Sequence, residues 1–367
     1  MLWNKIWDFI VESGISFFLP IVCSYYALSS HLFFNVACEE ATGLERWGNT
    51  LLIPSQYLLA GQSASRNEQG EWIFQPRFSY ENNFWIKTTA STITAVPSFV
   101  AGSLIKGLSL LGEESRRHHR EITLFLHTKP ARHEPSRYLT YGIDLQQGEP
   151  EWIFPQGYIR KPGDEHHLDP EKKALRDITH LLDEAGIPWW VDCGTCLGAY
   201  RYGGVIPWDE DVDIAVLLPD FHDVYRTLLQ LDPRKYLVQN WSSRDYPHSY
   251  LKIFIRESST LVDVYHFAIN TKTRTLSYVF SLENALFFPD WWKAREQRFK
   301  VPVSFDAVFP FKKGLFDGLE VNVPRETQAY LQRCYGENLA PAKIYNNQTG
   351  GYEKDLSHPY WQRSYVH

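Results

Sequence analysis

"VDCGTCLGAYRYGGVIPWDEDVDIAV" (residues 191–216) carries two chemical signals: Cys193 and Cys196 form a C-x-x-C pair, and Asp209, Asp211 and Asp213 crowd three carboxylates into five positions. "IPWWVDC" reads as a buried strand ending near Gly194. "TCLGAYRY" has room for two helical turns with Thr195 near the N-cap, and Gly203 and Gly204 stop it. "DVDIAVLL" is a β-branched strand. Residues two apart in a strand share a face, so Asp211 and Asp213 project together from one edge of a sheet. Two carboxylates held that way repel unless a divalent cation lies between them, and hard oxygen ligands suit Mg²⁺ or Mn²⁺. The alternative, an acidic strand end in water, fits poorly with Val212, Ile214, Val216 and Leu217, which mark the strand as buried.

Working outward, "LDPEKKALRDITHLLDEAGI" has Asp169 as N-cap, Pro170 at the first helical position and Glu171 behind it. Leu175, Ile178, Leu181, Leu182 and Ala185 form one apolar face, and Gly186 closes the helix. "FHDVYRTLLQL" is a further helix, while "YLKIFIR" and "TLVDVYHF" are strands around a short polar turn. If Glu257 and Ser258 make that turn, Lys252 faces Asp263. Alone, this is an ordinary cross-strand ion pair. Beside Asp211 and Asp213 it completes a set of three carboxylates and one ammonium suited to metal ions and a pyrophosphate. Backbone N–H groups at the helix opening near Gly194 and Thr195 favour a phosphate. Helix, strand, helix, strand and hairpin imply a mixed α/β sheet covered by helices. Upstream, "EITLFLHT", "RYLTYGIDL" and "EWIFPQGYI" read as short strands.

A chain of 367 residues, 44% hydrophobic, can bury a large core and has room for two domains. The net charge of -6, with basic and acidic residues interspersed, gives no field that would draw nucleic acid. "EESRRHHR" reads as a solvated helix face or loop. Five cysteines without a regular framework fit a reducing compartment, and the sequons at Asn240 and Asn347 do not fix one. Residues 1–120 form an aromatic, Ser/Thr-rich block. Within it, Ser13–Cys38 has no charged side chain and exceeds the roughly 20 residues that cross a bilayer as a helix. Pro20, His31 and Asn35 dilute its hydrophobicity, and the charges flanking it are weakly biased. Thr88–Ile105 is also uncharged. Two readings stand: membrane contact through residues 13–38 and 88–105, or a pair of buried helices. Location is accordingly membrane-associated or cytoplasmic.

The segment "GTCLGAYRYGGVIPWDEDVDIAV" resembles the LicD-type phosphocholine transferases and fukutin-related proteins, of the nucleotidyltransferase superfamily. Gly194, Thr195, Leu197, Gly198, Arg201, Ile206, Pro207, Trp208, Asp209, Asp211 and Asp213 fall in step with that family's motif. The family's metal-binding pair maps onto Asp211 and Asp213, and its third carboxylate onto Asp263. "GLFDGLEVNVPRETQAYLQRCYGENLAP" is similar to the family's C-terminal segment, with Leu339 where a Trp is often seen. The resemblance covers roughly residues 166–340 within a transferase domain of 121–367. A thioredoxin-like site also sets its C-x-x-C between strand and helix, so local geometry does not separate the two signals. The surrounding Gly-Thr and Asp pattern does, and assigns Cys193 and Cys196 to packing.

The resemblance implies a metal-dependent transferase that moves a phospho-alcohol, such as phosphocholine or an alditol phosphate, from a CDP-linked donor to a glycan or lipid-linked hydroxyl. Asp211, Asp213 and Asp263 would hold Mg²⁺ or Mn²⁺, with Asp263 also accepting the acceptor proton. Lys252 and Arg201 would grip phosphate oxygens, amides near Gly194 and Thr195 would anchor the donor, and Asp209 would hold Arg201. His166 and His167 are expected to be loop residues, Trp189 and Trp190 core, and Trp208 a wall of the site. The same carboxylates could serve nucleotidyl transfer, or a catalytically inactive nucleotide-binding module.

Overall fold

The computed structural model describes residues 27–80, 82–145, 149–242, 246, 248–279, 294 and 296–362. They fall into two compact units, one of residues 27–129 with the described part of 239–247, the other of 130–238 and 248–362.

In the first unit a three-stranded sheet, β1 (Val36–Cys38), β2 (Gln62–Arg66) and β3 (Trp72–Pro76), accompanies helices α1 (Gly43–Leu51), α2 (Ile53–Leu58), α3 (Phe84–Ser109) and α4 (Glu113–His127). Of the uncharged stretch 13–38, residues 13–26 lie outside the described residues. The rest does not continue as one helix: it holds a helical turn, Leu32–Asn35, and then β1. Buried Asn35 donates to the carbonyls of Ser29 and Leu59, which ties the turn down. The expected strand "EITLFLHT" is instead the second half of α4. Ile122, Phe125 and Leu126 pack into the unit's core at helical spacing, and the "EESRRHHR" run is the first half of the same helix, with Arg116, Arg117 and Arg120 exposed. A buried-helix reading of 88–105 also fails, since only Ser91 and Gly102 of that stretch are buried.

In the second unit, "RYLTYGIDL" forms only the helical turn Ser136–Leu139, and "EWIFPQGYI" contributes one isolated bridge, Trp152 to Lys313, rather than a strand. Both segments carry Pro or Gly within or beside them, which breaks a ladder. Helix α5 (Asp169–Ala185) starts one residue earlier than expected, with Asp169 as its first helical residue rather than its N-cap. Leu168 is the N-cap, at φ 58°, and the Asp169 carboxylate takes Lys172 at 2.9 Å. Gly186, at φ 66°, ends the helix.

Next come β4 (Trp189–Val191), α6 (Cys193–Tyr202), β5 (Val212–Leu217), α7 (Phe221–Leu228), β6 (Tyr236–Asn240), β7 (Tyr250–Ile255), β8 (Thr260–Asn270), β9 (Thr275–Tyr278) and β10 (Val303–Ser304). The seven strands form one mixed sheet ordered β10-β9-β8-β5-β4, with β7 on the first half of β8 and β6 beyond it. A ribbon, β11 (Lys312–Phe316) with β12 (Leu319–Val323), and helix α8 (Thr327–Tyr335) follow.

Alternation along β5 builds two cores. Val212, Ile214 and Val216 pack with Leu175, Ile178 and Leu182 of α5. Ala215 and Leu217 face the other way, onto Trp190, Phe267 and Tyr330. Asp213 belongs by parity to this second face, at the end where β5 begins.

Candidate metal and phosphate site

β5 and β8 run parallel in a register that pairs Asp213 with Asp263, and β7 runs antiparallel to β8 with Lys252 opposite Asp263. Neighbouring strands lie about 4.8 Å apart, so residues in register bring their side chains together. Asp211, just before β5, joins them: oxygens of Asp211, Asp213 and Asp263 lie within 4.8 Å of one another. Asp213 and Asp263 are 4% and 3% exposed. Burial first, and then the charges of Asp211, Asp263, Asp209 and Asp192, push the Asp213 carboxyl well above the usual range. Three hard oxygen donors gathered this closely fit a divalent cation, whose charge relieves their mutual repulsion.

Asp263 is held on several sides. Lys252 Nζ stands 2.8 Å from Oδ1 and 3.0 Å from Oδ2. The hydroxyls of Tyr250 and Tyr265 donate to Oδ2 at 2.7 and 3.2 Å. These tyrosines are themselves partners in the β7–β8 register, their rings stacked 4.9 Å apart at 6°. Burial, with the Asp263 charge contributing, pushes both phenols well above their ordinary value, so both remain donors. The tyrosines were missed in the sequence, although each lies two residues along its strand from Lys252 or Asp263 and so shares their face.

Helix α6 begins earlier than expected. Asp192 is its N-cap residue in extended conformation, and Cys193 sits at φ 46°. Thr195 is therefore inside the helix, where its hydroxyl accepts the Asp213 N–H at 2.8 Å, while Asp192 N–H donates to the Asp213 carbonyl at 3.1 Å. Both contacts fasten the helix opening to the site strand. A Cβ on Gly194 would lie 2.2 Å from Asp209 Oδ2, so the Asp209 carboxylate rests directly on this glycine. His167 Nε2 meets the Asp209 carbonyl at 2.7 Å. Asp192, also missed in the sequence, is buried and accepts the Tyr330 hydroxyl at 2.8 Å; burial pushes its carboxyl up. Trp190 Nε1 donates in turn to Tyr330 at 3.2 Å.

Arg201 is not gathered with the carboxylates in the same way. Its guanidinium is buried and donates to the Leu339 and Ala340 carbonyls at 2.6 and 2.7 Å. Burial lowers its pKa, and the Asp209 charge is among those opposing this. Trp208 packs edge-on against Tyr352, with Lys343 Nζ 5.3 Å from its ring. Trp189 and Trp190 are both buried. His166 is exposed and 3.4 Å from Asp169. Cys193 and Cys196 are free thiols, buried, and pushed well above the usual thiol range by burial and by the Asp192 charge. A reactive thiol needs the opposite setting.

Cys38, Glu45 and His118 form a second compact group in the first unit. Glu45 there accepts His118 Nδ1 at 3.1 Å and stands near buried Lys106, whose ammonium burial lowers to about 8 against the opposing charge of Glu45.

Residues 186–326 match the family model described as LicD/FKTN/FKRP, nucleotidyltransferase domain. All three carboxylates and Lys252 lie inside the match. An uncharacterised protein of Rickettsia prowazekii is 27% identical over 177 residues, 47% of this chain and 57% of that protein. The ribitol-5-phosphate transferase FKTN of Mus musculus is 40% identical over 50 residues, 14% of this chain and 11% of its own. The ribitol 5-phosphate transferase FKRP of Homo sapiens is 41% identical over 49 residues, 13% and 10% respectively. The chain spans about half the length of the rickettsial relatives it matches.

Proposed function

We propose that the second unit is a divalent-metal-dependent transferase that moves a phospho-alcohol from a CDP-linked donor to a hydroxyl on a glycan or a lipid-linked sugar. The observation that carries this reading is the register pairing Asp213 with Asp263, with Asp211 beside them, inside the residues that match the LicD/FKTN/FKRP nucleotidyltransferase-domain model.

The acceptor oxygen attacks the phosphorus that bears the alcohol. The bond from that phosphorus to the bridging oxygen breaks, and CMP leaves with the electron pair. Asp211, Asp213 and Asp263 would hold Mg²⁺ or Mn²⁺, which would neutralise the pyrophosphate and stabilise the leaving nucleotide. Lys252, Tyr250 and Tyr265 keep Asp263 oriented. A carboxylate with that many donors is poorly placed to take a proton as well, so the role sequence reading gave to Asp263 passes to Asp211, the less buried of the three. Amides near Gly194 and Thr195 anchor donor phosphate. Arg201, gripping the Leu339 and Ala340 carbonyls, holds the C-terminal segment instead of a phosphate. A lipid-carried acceptor is met at a membrane, and the uncharged stretch 88–105 is suited to that contact, whereas residues 32–38 are taken up by the helical turn and β1 of the first unit.

A thermal-shift screen of CDP-choline, CDP-ribitol and CDP-glycerol tests the reading. At least one should stabilise the wild type in Mn²⁺ and none in EDTA, and Asp211→Asn or Asp213→Asn should abolish the effect. Equal stabilisation with and without metal would refute it.

A further inference from the structure

Helix α3 is built inside out. Its buried residues are Ser91, Gly102, Lys106 and Ser109. Its exposed ones include Ile86, Ile93, Val96, Val100, Leu104 and Leu108, each more than half exposed, and Leu111 follows at 79%. Their spacings of seven, three and four draw one ridge along a helix of 3.6 residues per turn. Between Lys87 and Lys106 the helix has no charged side chain.

The inner face packs as helices pack in lipid, by close approach of small residues. A Cβ on Gly102 would stand 2.8 Å from Leu52 Cγ, and one on Gly48 2.7 Å from the Lys106 nitrogen. The outer face leaves few polar groups in need of water. Thr92 and Thr94 are exposed, yet their hydroxyls donate to the Thr88 and Ala90 carbonyls of the same helix at 2.8 and 2.7 Å. Lys106 is turned inward, its Nζ donating to the Val36 carbonyl at 2.7 Å.

Water is a poor neighbour for such a ridge, and so is a protein partner, whose interfaces mix apolar contact with hydrogen bonds and a polar rim. Hydrocarbon matches it. With 26 residues at about 1.5 Å each, α3 exceeds the roughly 30 Å of a bilayer core. Trp85, 64% exposed, and Lys87 sit together at its start, as residues at a lipid–water boundary do. The chain immediately before the described residues, 13–26, is likewise uncharged in sequence.

We propose that α3 meets a lipid bilayer through the ridge from Ile93 to Leu108, so that hydrocarbon covers this face. The proposal is independent of the group the carboxylate site transfers. It is tested by flotation of the full chain with phosphatidylcholine vesicles in high salt. Wild type should float. Ile93→Asp/Val96→Asp/Val100→Asp should float about tenfold less, and the milder Ile93→Ser/Val100→Ser pair should fall in between with an unchanged circular dichroism spectrum. Leu356→Asp, at an equally exposed leucine of the other unit, should float as wild type does. Wild type remaining at the bottom of the gradient, as a soluble monomer or dimer, overturns the proposal. So does flotation of the Ser pair equal to wild type.

Discussion

Asp213 and Asp263 stand opposite each other on two parallel strands, both nearly sealed from water, with no residue between them in the register. Burial, and then the charges of the neighbouring carboxylates, hold the Asp213 carboxyl well above its ordinary range. Between the unfolded and folded pKa the native state holds a proton that the unfolded state has lost, so stability falls as pH rises through that window. In EDTA, wild type should therefore lose melting temperature as pH rises above the ordinary carboxylate range, more steeply than Asp213→Asn. Parallel melting curves for the two proteins would show that Asp213 does not titrate as described.

Tyr250 and Tyr265 orient the third carboxylate. Removing a hydrogen bond behind a metal ligand weakens metal binding by about 10- to 100-fold. Tyr250→Phe, which loses the 2.7 Å contact, should weaken Mn²⁺ binding by about tenfold or more. Tyr265→Phe, losing one of 3.2 Å, should do less. Calorimetric titration reads both, and unchanged affinity in Tyr250→Phe would remove the tyrosine from the site.

Gly194 and Asp209 compete for one space. Gly194→Ala should cost about 1–3 kcal/mol through overpacking. In Gly194→Ala/Asp209→Ala the carboxylate is gone, and part of that cost should return. Denaturant melts of the four proteins give the coupling, and strict additivity would mean the two residues do not touch.

Arg201 separates a structural from a ligand-gripping role. Arg201→Gln loses charge-assisted bonds to one buried and one half-buried carbonyl and should destabilise the fold by roughly 2–4 kcal/mol. In the folded fraction, donor affinity should change little. Normal stability with weakened donor binding would return Arg201 to the phosphate.

Local pattern carried much of this site. The Lys252–Asp263 pairing follows from two alternating strands around a short turn, and Gly186 ends α5 because few other residues suit its left-handed backbone. Non-local partners were out of reach. Nothing in the spacing of "DVDIAV" reveals that β8 lies beside it, or that Arg201 grips carbonyls of Leu339 and Ala340 more than a hundred positions on. "EITLFLHT" misled because a short apolar run fits either period until the charged residues before it are joined to the same helix.

The most direct measurement uses CDP-ribitol, CDP-choline and CDP-glycerol labelled separately in the nucleotide and in the alcohol, with water or a glycan as acceptor. In Mn²⁺, the account predicts release of CMP from one donor and transfer of the alcohol with its phosphate to the acceptor, both lost in EDTA and in Asp213→Asn. Nucleotide label on the acceptor, or turnover indifferent to EDTA and to Asp213→Asn, would contradict it.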